Sequence, residues 1–346
     1  MDKFKKYFGD KSIFKSDEEI KKNTERLFKE IKNIFPTKCI YANGCDKKPI
    51  NSHSIQSSRT LKALSNNKNK VGLFSGSVDP FEGVSFQVKE VGINKATTFL
   101  GLCSEHDNKT FEPIEKKDFS PDDLEQLFKY CYRTVLRQYY VLNQIDLRWR
   151  KKVNEMDKKD DFKVVLFLSN SYMAYINLFN FSKIKNVFDL AELTGNFDRD
   201  IIFNVRELDE VLPIAVSSAF TPTYDFKNNL INDYKDRNVV PIHVCLTVFP
   251  ENNKTYVILG HLKHQDKALV SYVNQFMKEP DIYDILSETI FRHIENFVIN
   301  PDYWNSISKD RKENIIKFFE QTLHRDVERD KKIVYKSDKH NLFQQI

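Results

Sequence analysis

Several features that mark common enzyme classes are missing from this chain of 346 residues. It has no Gly-x-x-x-x-Gly-Lys-Ser/Thr loop, no Gly-x-Gly-x-x-Gly fingerprint and no Gly-x-Ser-x-Gly elbow. P-loop ATPases, dinucleotide-dependent redox enzymes and serine hydrolases are therefore unsupported. No apolar run approaches the length needed to cross a bilayer, and no apolar segment of the signal-peptide type follows the basic N-terminus. We expect a cytoplasmic protein with no membrane partner.

Cysteine is scarce, and the five residues present form an odd set. An odd count in a protein expected in the cytoplasm argues against a disulfide framework. Cys131 and Cys245 lie in apolar runs, which predicts that both are core residues. Cys39, Cys45 and Cys103 lie instead in polar turns that contain Gly or Asn. This contrast indicates that these three thiols are ligands.

Charge and length set broad limits on the fold and on the partners. The net charge of +5 permits nucleic-acid binding without requiring it. A chain of this length favours more than one domain. Patterning predicts an α+β protein with four segments. They are an N-terminal helical segment (1–36), a metal-binding module (37–116), a linking helix (117–160) and an α+β domain with a mostly antiparallel sheet (161–346).

Local signals predict several individual elements. Apolar residues at helical spacing predict an amphipathic helix over 16–35. Ser120 followed by Pro121 predicts the start of a long helix that ends near 155. Strands are predicted at VGLFSGSV, VSFQVKEVGI, VVLFLSN, DIIFNV, VLPIAVSSAFTP, VVPIHVCLTVF and KTYVILGHL, with further helices over 267–325.

Two ligand pairs predict a structural zinc site. Cys39 and Cys45 are separated by five residues, and Cys103 and His106 by two. Structural zinc takes four sulfur or nitrogen ligands in a tetrahedron. Gly44 tolerates the left-handed backbone of the tight turn that would aim both sulfurs of the first pair inward.

The same region resembles the HNH (ββα-metal) nucleases. The resemblance rests on the cysteine pair, on Ser-His-Ser-Ile at 52–55 and on Leu-Cys-x-x-His at 102–106 before a predicted helix. It covers residues 37–116 and implies a β-hairpin and a helix that hold one divalent ion, beside a structural zinc. It also implies a metal-dependent endonuclease, with DNA favoured over RNA as substrate. A small nuclease module beside a second domain suggests a role in bacterial defence against phage or plasmids.

Carried over residue by residue, the resemblance makes His53 the general base and places Asp107 or Asn108 at a catalytic Mg²⁺ or Mn²⁺. His106 is either the fourth zinc ligand, which we favour, or a ligand of the catalytic metal. Ser52 departs from the family, because many members have a metal-binding Asp or His there. His53 could instead be a structural histidine that donates to a backbone carbonyl, and Asp107 a carboxylate that stabilises a helix N-terminus.

Five cations are candidates for nucleic-acid binding. They are Lys48, Arg59, Lys109, Arg133 and Arg137. The alternative to an enzyme is a zinc-stabilised module that binds nucleic acid or protein without catalysis. A third possibility is a subunit of a larger defence complex. Residues 161–346 could then contact a protein partner or a second copy of the chain.

Overall fold

A computed structural model describes residues 34–79, 83–156, 161–233, 240–323 and 341–343. The predicted helix over 16–35 lies almost entirely outside the described residues. The N-terminal part begins with a loop that contains Cys39 and Cys45. It continues with the elements β1 (Asn51–His53), a π-helical turn (Ser57–Leu61), α1 (Lys62–Leu64), β2 (Lys70–Asp79), β3 (Gly83–Gly92), β4 (Thr98–Leu100) and α2 (Ser104–Glu115).

Two long helices follow, and they pack along each other. They are α3 (Leu124–Glu155) and α4 (Asp161–Thr194). The start of α3 differs from the prediction at Ser120. The helix begins at Leu124, because the Asp123 side chain accepts a hydrogen bond from the backbone N–H of Gln126 at 3.1 Å and so acts as the N-cap.

The predicted strand VVLFLSN is wrong, because these residues belong to α4. A short apolar run with β-branched residues is compatible with either a buried strand or a buried helix. Here the run continues without a break into the helical pattern of the residues that follow it, and α4 reaches Thr194.

The remaining elements complete a mixed α and β architecture, so the predicted α+β class is confirmed. The strands are β5 (Ile201–Leu208), β6 (Ile214–Phe220), β7 (Val244–Glu251), β8 (Lys254–Leu262) and β9 (Phe297–Ile299). The helices are α5 (Asp266–Lys278), α6 (Ile282–His293), α7 (Pro301–Ser306) and α8 (Lys309–Leu323), with a 3₁₀ turn at Lys263–Gln265. No helix in the described part of the chain is long and apolar enough to span a membrane.

Seven strands form one sheet in the order β3-β2-β9-β6-β7-β8-β5, and each neighbouring pair is antiparallel. The β7–β8 hairpin turns at Asn252 and Asn253, whose φ angles of 52° and 61° suit a tight hairpin turn. The sheet joins β2 and β3 from segment 37–116 to five strands of segment 161–346. The domain boundaries drawn from the sequence therefore cut across a continuous sheet, and they stay a prediction.

Strands β6, β7 and β8 are buried on both faces, and alternate residues along them belong to different cores. Ala219, Cys245 and Ile258 face a core formed with α3 and the N-terminal elements. Leu246 and Val257 face a second core, formed with α5, α6, α7 and α8. This double burial explains why the central strands appear in the sequence as unbroken apolar runs.

Candidate metal centre and the adjoining polar cluster

The loop before β1 brings Cys39 and Cys45 together. The two residues form an isolated antiparallel bridge, and the chain reverses between them at Asn43 and Gly44. Both of these residues have left-handed backbone, with φ of 66° and 73°. The N–H of Gly44 donates to the carbonyl of Tyr41 at 3.3 Å and closes the turn. The structure thus contains the tight turn expected from the sequence.

The first turn of α2 supplies the other pair. Cys103 is the N-cap residue, and its carbonyl accepts the first helical hydrogen bond from the N–H of Asp107 at 2.9 Å. Residues three apart lie on one side of a helix, so His106 is placed beside Cys103. The N–H of Cys103 donates to the Cys39 sulfur at 3.2 Å and joins the two pairs.

These four side chains form one group that can hold a metal ion. The ligand atoms of Cys39, Cys45, Cys103 and His106 all lie within 4.8 Å of one another. His106 Nδ1 lies 3.5 Å from the Cys39 sulfur and 3.4 Å from the Cys103 sulfur. Ligand bond lengths at tetrahedral zinc place neighbouring sulfur and nitrogen ligands about 3.5 Å apart. Both the donor set and the spacing therefore fit a closed structural zinc site.

Burial and hydrogen bonding act differently on the two buried thiols. Burial raises the pKa of Cys39 to about 11, and the neighbouring Cys103 thiol adds to the shift. Burial also acts to raise the pKa of Cys103, but backbone N–H groups of His106 and Glu105 and the other two thiols outweigh it and lower the pKa. A thiol at a helix N-terminus is a favourable thiolate, which is the form that binds metal.

A buried polar chain connects this group to the long helices. The rings of Tyr41 and His106 stack with centroids 4.0 Å apart and an angle of 14° between their planes. The Tyr41 hydroxyl donates to Glu192 Oε1 on α4 at 3.4 Å. The other oxygen of Glu192 accepts from Lys129 on α3 at 2.6 Å. The orientation of His106 therefore depends on side chains from three separate parts of the chain.

Beyond the metal-ligand group, β1, β4 and α2 form a strand–strand–helix unit, which we call the ββα frame. β1 pairs with β4 in antiparallel register, with Ser52 opposite Phe99 and His53 opposite Thr98. The long gap between His53 and Cys103 is filled by α1 and by the β2–β3 hairpin, which extends the large sheet. Gln56 anchors the end of β1 to the frame, because its amide donates to the Ile114 carbonyl of α2 at 2.9 Å.

His53 is half-buried at the end of β1, and its Nε2 lies 3.0 Å from the Ile93 carbonyl oxygen. A carbonyl can only accept, so Nε2 must carry the proton. This contact fixes the tautomer and leaves Nδ1 with its lone pair. The same contact is expected for a structural histidine that donates to a carbonyl. The contact to Ile93 is therefore compatible both with a general base and with a structural histidine, and the catalytic role of His53 stays a prediction.

Asp107 lies on the first turn of α2, close to Ser52, His53 and Arg133. Burial raises the pKa of its carboxyl group, while the Ser52 hydroxyl and the charges of Arg133 and His53 oppose the shift. Neither Asp107 Oδ1 nor Ser52 Oγ has a hydrogen-bond partner of normal geometry, although both atoms are buried. Buried polar atoms without partners are uncommon in folded proteins, and one explanation is an ion or water that binds them.

Asn108 does not share this position. It is exposed, and its amide lies 3.4 Å from the Ser104 hydroxyl one turn earlier on α2. The helical rotation of about 100° per residue points its side chain away from Asp107. Of the two candidates for the catalytic metal, only Asp107 has a carboxyl group whose pKa is affected by the charge of His53.

The predicted phosphate-binding cations are in different environments. Lys48 and Lys109 are exposed. Arg59 pairs with Asp118 and Glu251 at 3.1 and 2.9 Å, and it also donates to two backbone carbonyls. Its contacts hold the π-helical turn against α2 and β7.

The two arginines of α3 lie deeper in the protein. Arg133 is 3% exposed, pairs with Glu115 at 2.6 Å and lies over the Phe111 ring at 4.1 Å. Arg137 is half-buried, and burial lowers its pKa. Arg133 also lies close enough to Asp107 for its charge to act against the rise of the Asp107 pKa.

Sequence reasoning missed Glu115 and Tyr41, which complete the surroundings of Asp107 and His106. Neither has a motif that would single it out, because their roles come from contacts with residues distant in the chain.

No family model, no curated protein and no solved structure matches this chain. The donor set and the geometry are therefore the whole basis for a functional conclusion.

Proposed function

We propose that the ββα frame and its cysteine–histidine group form a zinc-stabilised, metal-dependent nuclease module of the HNH type. Its substrate would be the phosphodiester bonds of DNA or RNA, with DNA favoured. The observation that carries the proposal is a pair of buried oxygens, Asp107 Oδ1 and Ser52 Oγ, which form no hydrogen bond of normal geometry within the ββα frame that also carries His53. His53 contributes an available Nδ1. A histidine base beside an oxygen ligand suits metal-assisted hydrolysis.

The residues present fit a hard divalent ion such as Mg²⁺ or Mn²⁺. Asp107 Oδ1 and Ser52 Oγ are oxygen donors that form no hydrogen bond of normal geometry, although the Ser52 hydroxyl lies close enough to the Asp107 carboxyl to act against the rise of its pKa. Mg²⁺ is commonly bound by one or two carboxylates together with water and substrate phosphate. When bound, such an ion would neutralise charge that develops on the phosphate and on the leaving oxygen.

In the proposed reaction, His53 Nδ1 accepts a proton from the attacking water, while the Ile93 carbonyl holds Nε2–H and stabilises the imidazolium that forms. Asp107 would hold the divalent ion. Arg133 is held by Glu115, and its Nε and Nη1 have no hydrogen-bond partner. These groups would face the negative charge of the scissile phosphate. Exposed Lys48 and Lys109 would add electrostatic attraction for the nucleic acid.

The test is cleavage of plasmid DNA and of single-stranded RNA by the zinc-loaded chain in Mg²⁺ or Mn²⁺. His53→Ala is expected to lower the rate about 10²- to 10⁴-fold, the range for losing a general base. His264→Ala is the matched control, because His264 is exposed in the turn after β8, in the C-terminal half of the chain. Cleavage by His53→Ala at the wild-type rate would overturn the proposal, and so would an intact substrate with the wild-type protein.

A non-catalytic binding module is the second candidate, and Ser52 is the observation that favours it. A hydroxyl is a weaker metal ligand than the carboxylate or imidazole that many HNH nucleases have at this position. In this alternative, His53→Ala would lower thermal stability through loss of the contact to Ile93. Nucleic-acid binding would persist without cleavage, and its affinity would fall as salt rises.

A further inference from the structure

Helix α4 has two apolar faces on opposite sides. One face packs toward the protein interior and includes Ala174, Phe181 and Phe188, which are 1–5% exposed. The other face carries Val165, Leu168, Tyr172, Tyr175 and Phe179, and we call these five residues the outer stripe. They are 46–68% exposed. An amphipathic surface helix has one apolar face and one polar face, so a second apolar face indicates a second packing partner.

The outer stripe has the spacing of a helix–helix seam. Its members follow one another at intervals of three, four, three and four residues, which is the a/d pattern of a heptad repeat. This pattern presents a continuous ridge that another helix of the same spacing can cover. Tyr175 and Phe179 already stack on each other at 6.1 Å, so part of the ridge is preformed.

The charge around the outer stripe restricts the partner. Residues 164–182 contain no Asp, Glu, Lys, Arg or His, although 30% of the whole chain is charged. Two cations lie over rings of the outer stripe: Arg150, which pairs with Asp146, is 5.9 Å from the Tyr175 centroid, and Lys183 is 4.5 Å from the Phe179 centroid. A charged partner surface would lose hydration against the rest of this face, where no charged side chain is available for an ion pair. The best complement is an uncharged apolar helix with the same repeat, and a second copy of α4 has both properties.

We propose that the protein forms a homodimer in which the outer stripes of two copies pack antiparallel about a twofold axis at Tyr172. In this register, Tyr172 meets its own counterpart and Val165 meets Phe179 of the second copy, while Leu168 packs against Tyr175, which lies one residue (about 1.5 Å) out of level with it. Each small or medium side chain then faces a large aromatic one, which fills space more evenly than a parallel pair. A twofold axis makes the contact closed and self-complementary, so it stops at two copies.

The area available matches the lower limit of a stable interface. Large side chains bury about 200 Å² each, so the exposed fractions of the outer stripe correspond to roughly 500 Å² per copy. The two copies together would bury about 1,000 Å², the smallest area expected of a specific protein interface. This proposal uses residues outside the proposed nuclease site, so the two proposals succeed or fail independently.

The first test is the mass of the full chain by sedimentation equilibrium. The expected result is twice the chain mass of 40.9 kDa for the wild type. Tyr172→Glu places two like charges at the axis and should give a monomer, as should Tyr172→Lys. An equimolar mixture of these two variants should return to a dimer. Asn177→Glu is the matched control, because Asn177 is exposed on α4 outside the outer stripe, and this variant should stay dimeric.

A second mixture tests the antiparallel orientation. Val165→Glu and Phe179→Lys face each other only in antiparallel pairing, so mixing these two variants should restore the dimer. Zinc content and circular dichroism would check that each variant is folded. A monomeric wild type would overturn the proposal, and so would a Tyr172→Glu variant that stays dimeric. Failure of the Val165→Glu and Phe179→Lys mixture to pair would overturn the orientation proposed.

Discussion

The buried ion pair between Lys129 and Glu192 is expected to make a large and strongly coupled contribution to stability. Both side chains are 6% exposed, and Nζ lies 2.6 Å from the carboxylate. Glu192 also accepts from Tyr41, whose ring stacks on His106. Lys129 has a second carboxylate nearby, that of Glu125 at 3.9 Å, which is 42% exposed. The charge that remains is therefore compensated differently in the two single variants: Lys129 keeps Glu125 nearby, whereas Glu192 keeps the Tyr41 hydroxyl.

The expected loss of unfolding free energy differs between removing one partner of a buried ion pair and removing both. Removing one partner of a buried pair typically costs about 3–5 kcal/mol, because the remaining charge is desolvated without compensation. Lys129→Met leaves Glu192 with the Tyr41 hydroxyl as its hydrogen-bond donor among the described residues, so we expect a loss in the upper part of this range. Glu192→Leu leaves Lys129 with Glu125, so we expect about 3 kcal/mol. Replacing both residues removes both charges and is expected to cost far less than the sum.

The assay is a double-mutant cycle in which urea unfolding of the zinc-loaded protein is monitored by circular dichroism. The double variant should be at least about 2 kcal/mol more stable than the two single losses would predict if added. Glu112→Gln is the control, since Glu112 and Lys116 form an exposed pair, with side chains 54% and 73% exposed. It should change stability by less than about 1 kcal/mol. A coupling energy near zero for Lys129 and Glu192 would refute the reasoning.

Three further predictions follow from single sites. A Cβ at Gly260 would lie 2.5 Å from the Cys131 sulfur, so Gly260→Ala should cost about 1–3 kcal/mol in urea unfolding. Adding Cys131→Ala should recover most of that loss, and no recovery would contradict the clash. Burial lowers the pKa of His243 to about 4. The unfolded chain therefore binds the extra proton first, and stability falls as the pH drops from about 6.5 to 4. His243→Phe should lose less stability than the wild type over this window, by up to about 3 kcal/mol, and identical pH profiles would contradict this. Cys39→Ser should reduce zinc from about one ion per chain to none by mass spectrometry, while Cys245→Ala keeps it, and equal zinc in both would contradict the site.

Local chemistry made part of the site predictable. The four metal-ligand residues occur as two close pairs, and each pair needs only one turn of chain to come together. Gly44 supplies the left-handed backbone of the first turn, and the helix that follows Cys103 places His106 on the same side. The strand segments around β6, β7 and β8 were predictable for a similar reason, because their apolar runs end at turn residues such as Asn252.

The surroundings of Asp107 and the role of the arginines could not be predicted in this way. Arg133 and Glu115 are 18 residues apart and lie on different helices, and their pairing depends on how α2 packs against α3. An arginine on a helix has the same local pattern whether its guanidinium is buried or faces solvent. Whether a charged group is buried depends on how helices and strands pack together, and the local sequence pattern does not show that packing.

The sequence by itself determined which residues can bind metal, roughly where six of the strands in the described residues lie, and that the fold mixes helices and sheets. These properties depend on residue type and on short spacing. Only the tertiary structure decided that β2 and β3 join the large sheet, that VVLFLSN lies in a helix and that α4 keeps an exposed apolar face. An apolar residue shows in the sequence that it favours burial, but the surface that covers it comes from chain segments far away, and their arrangement depends on the packing of the whole molecule.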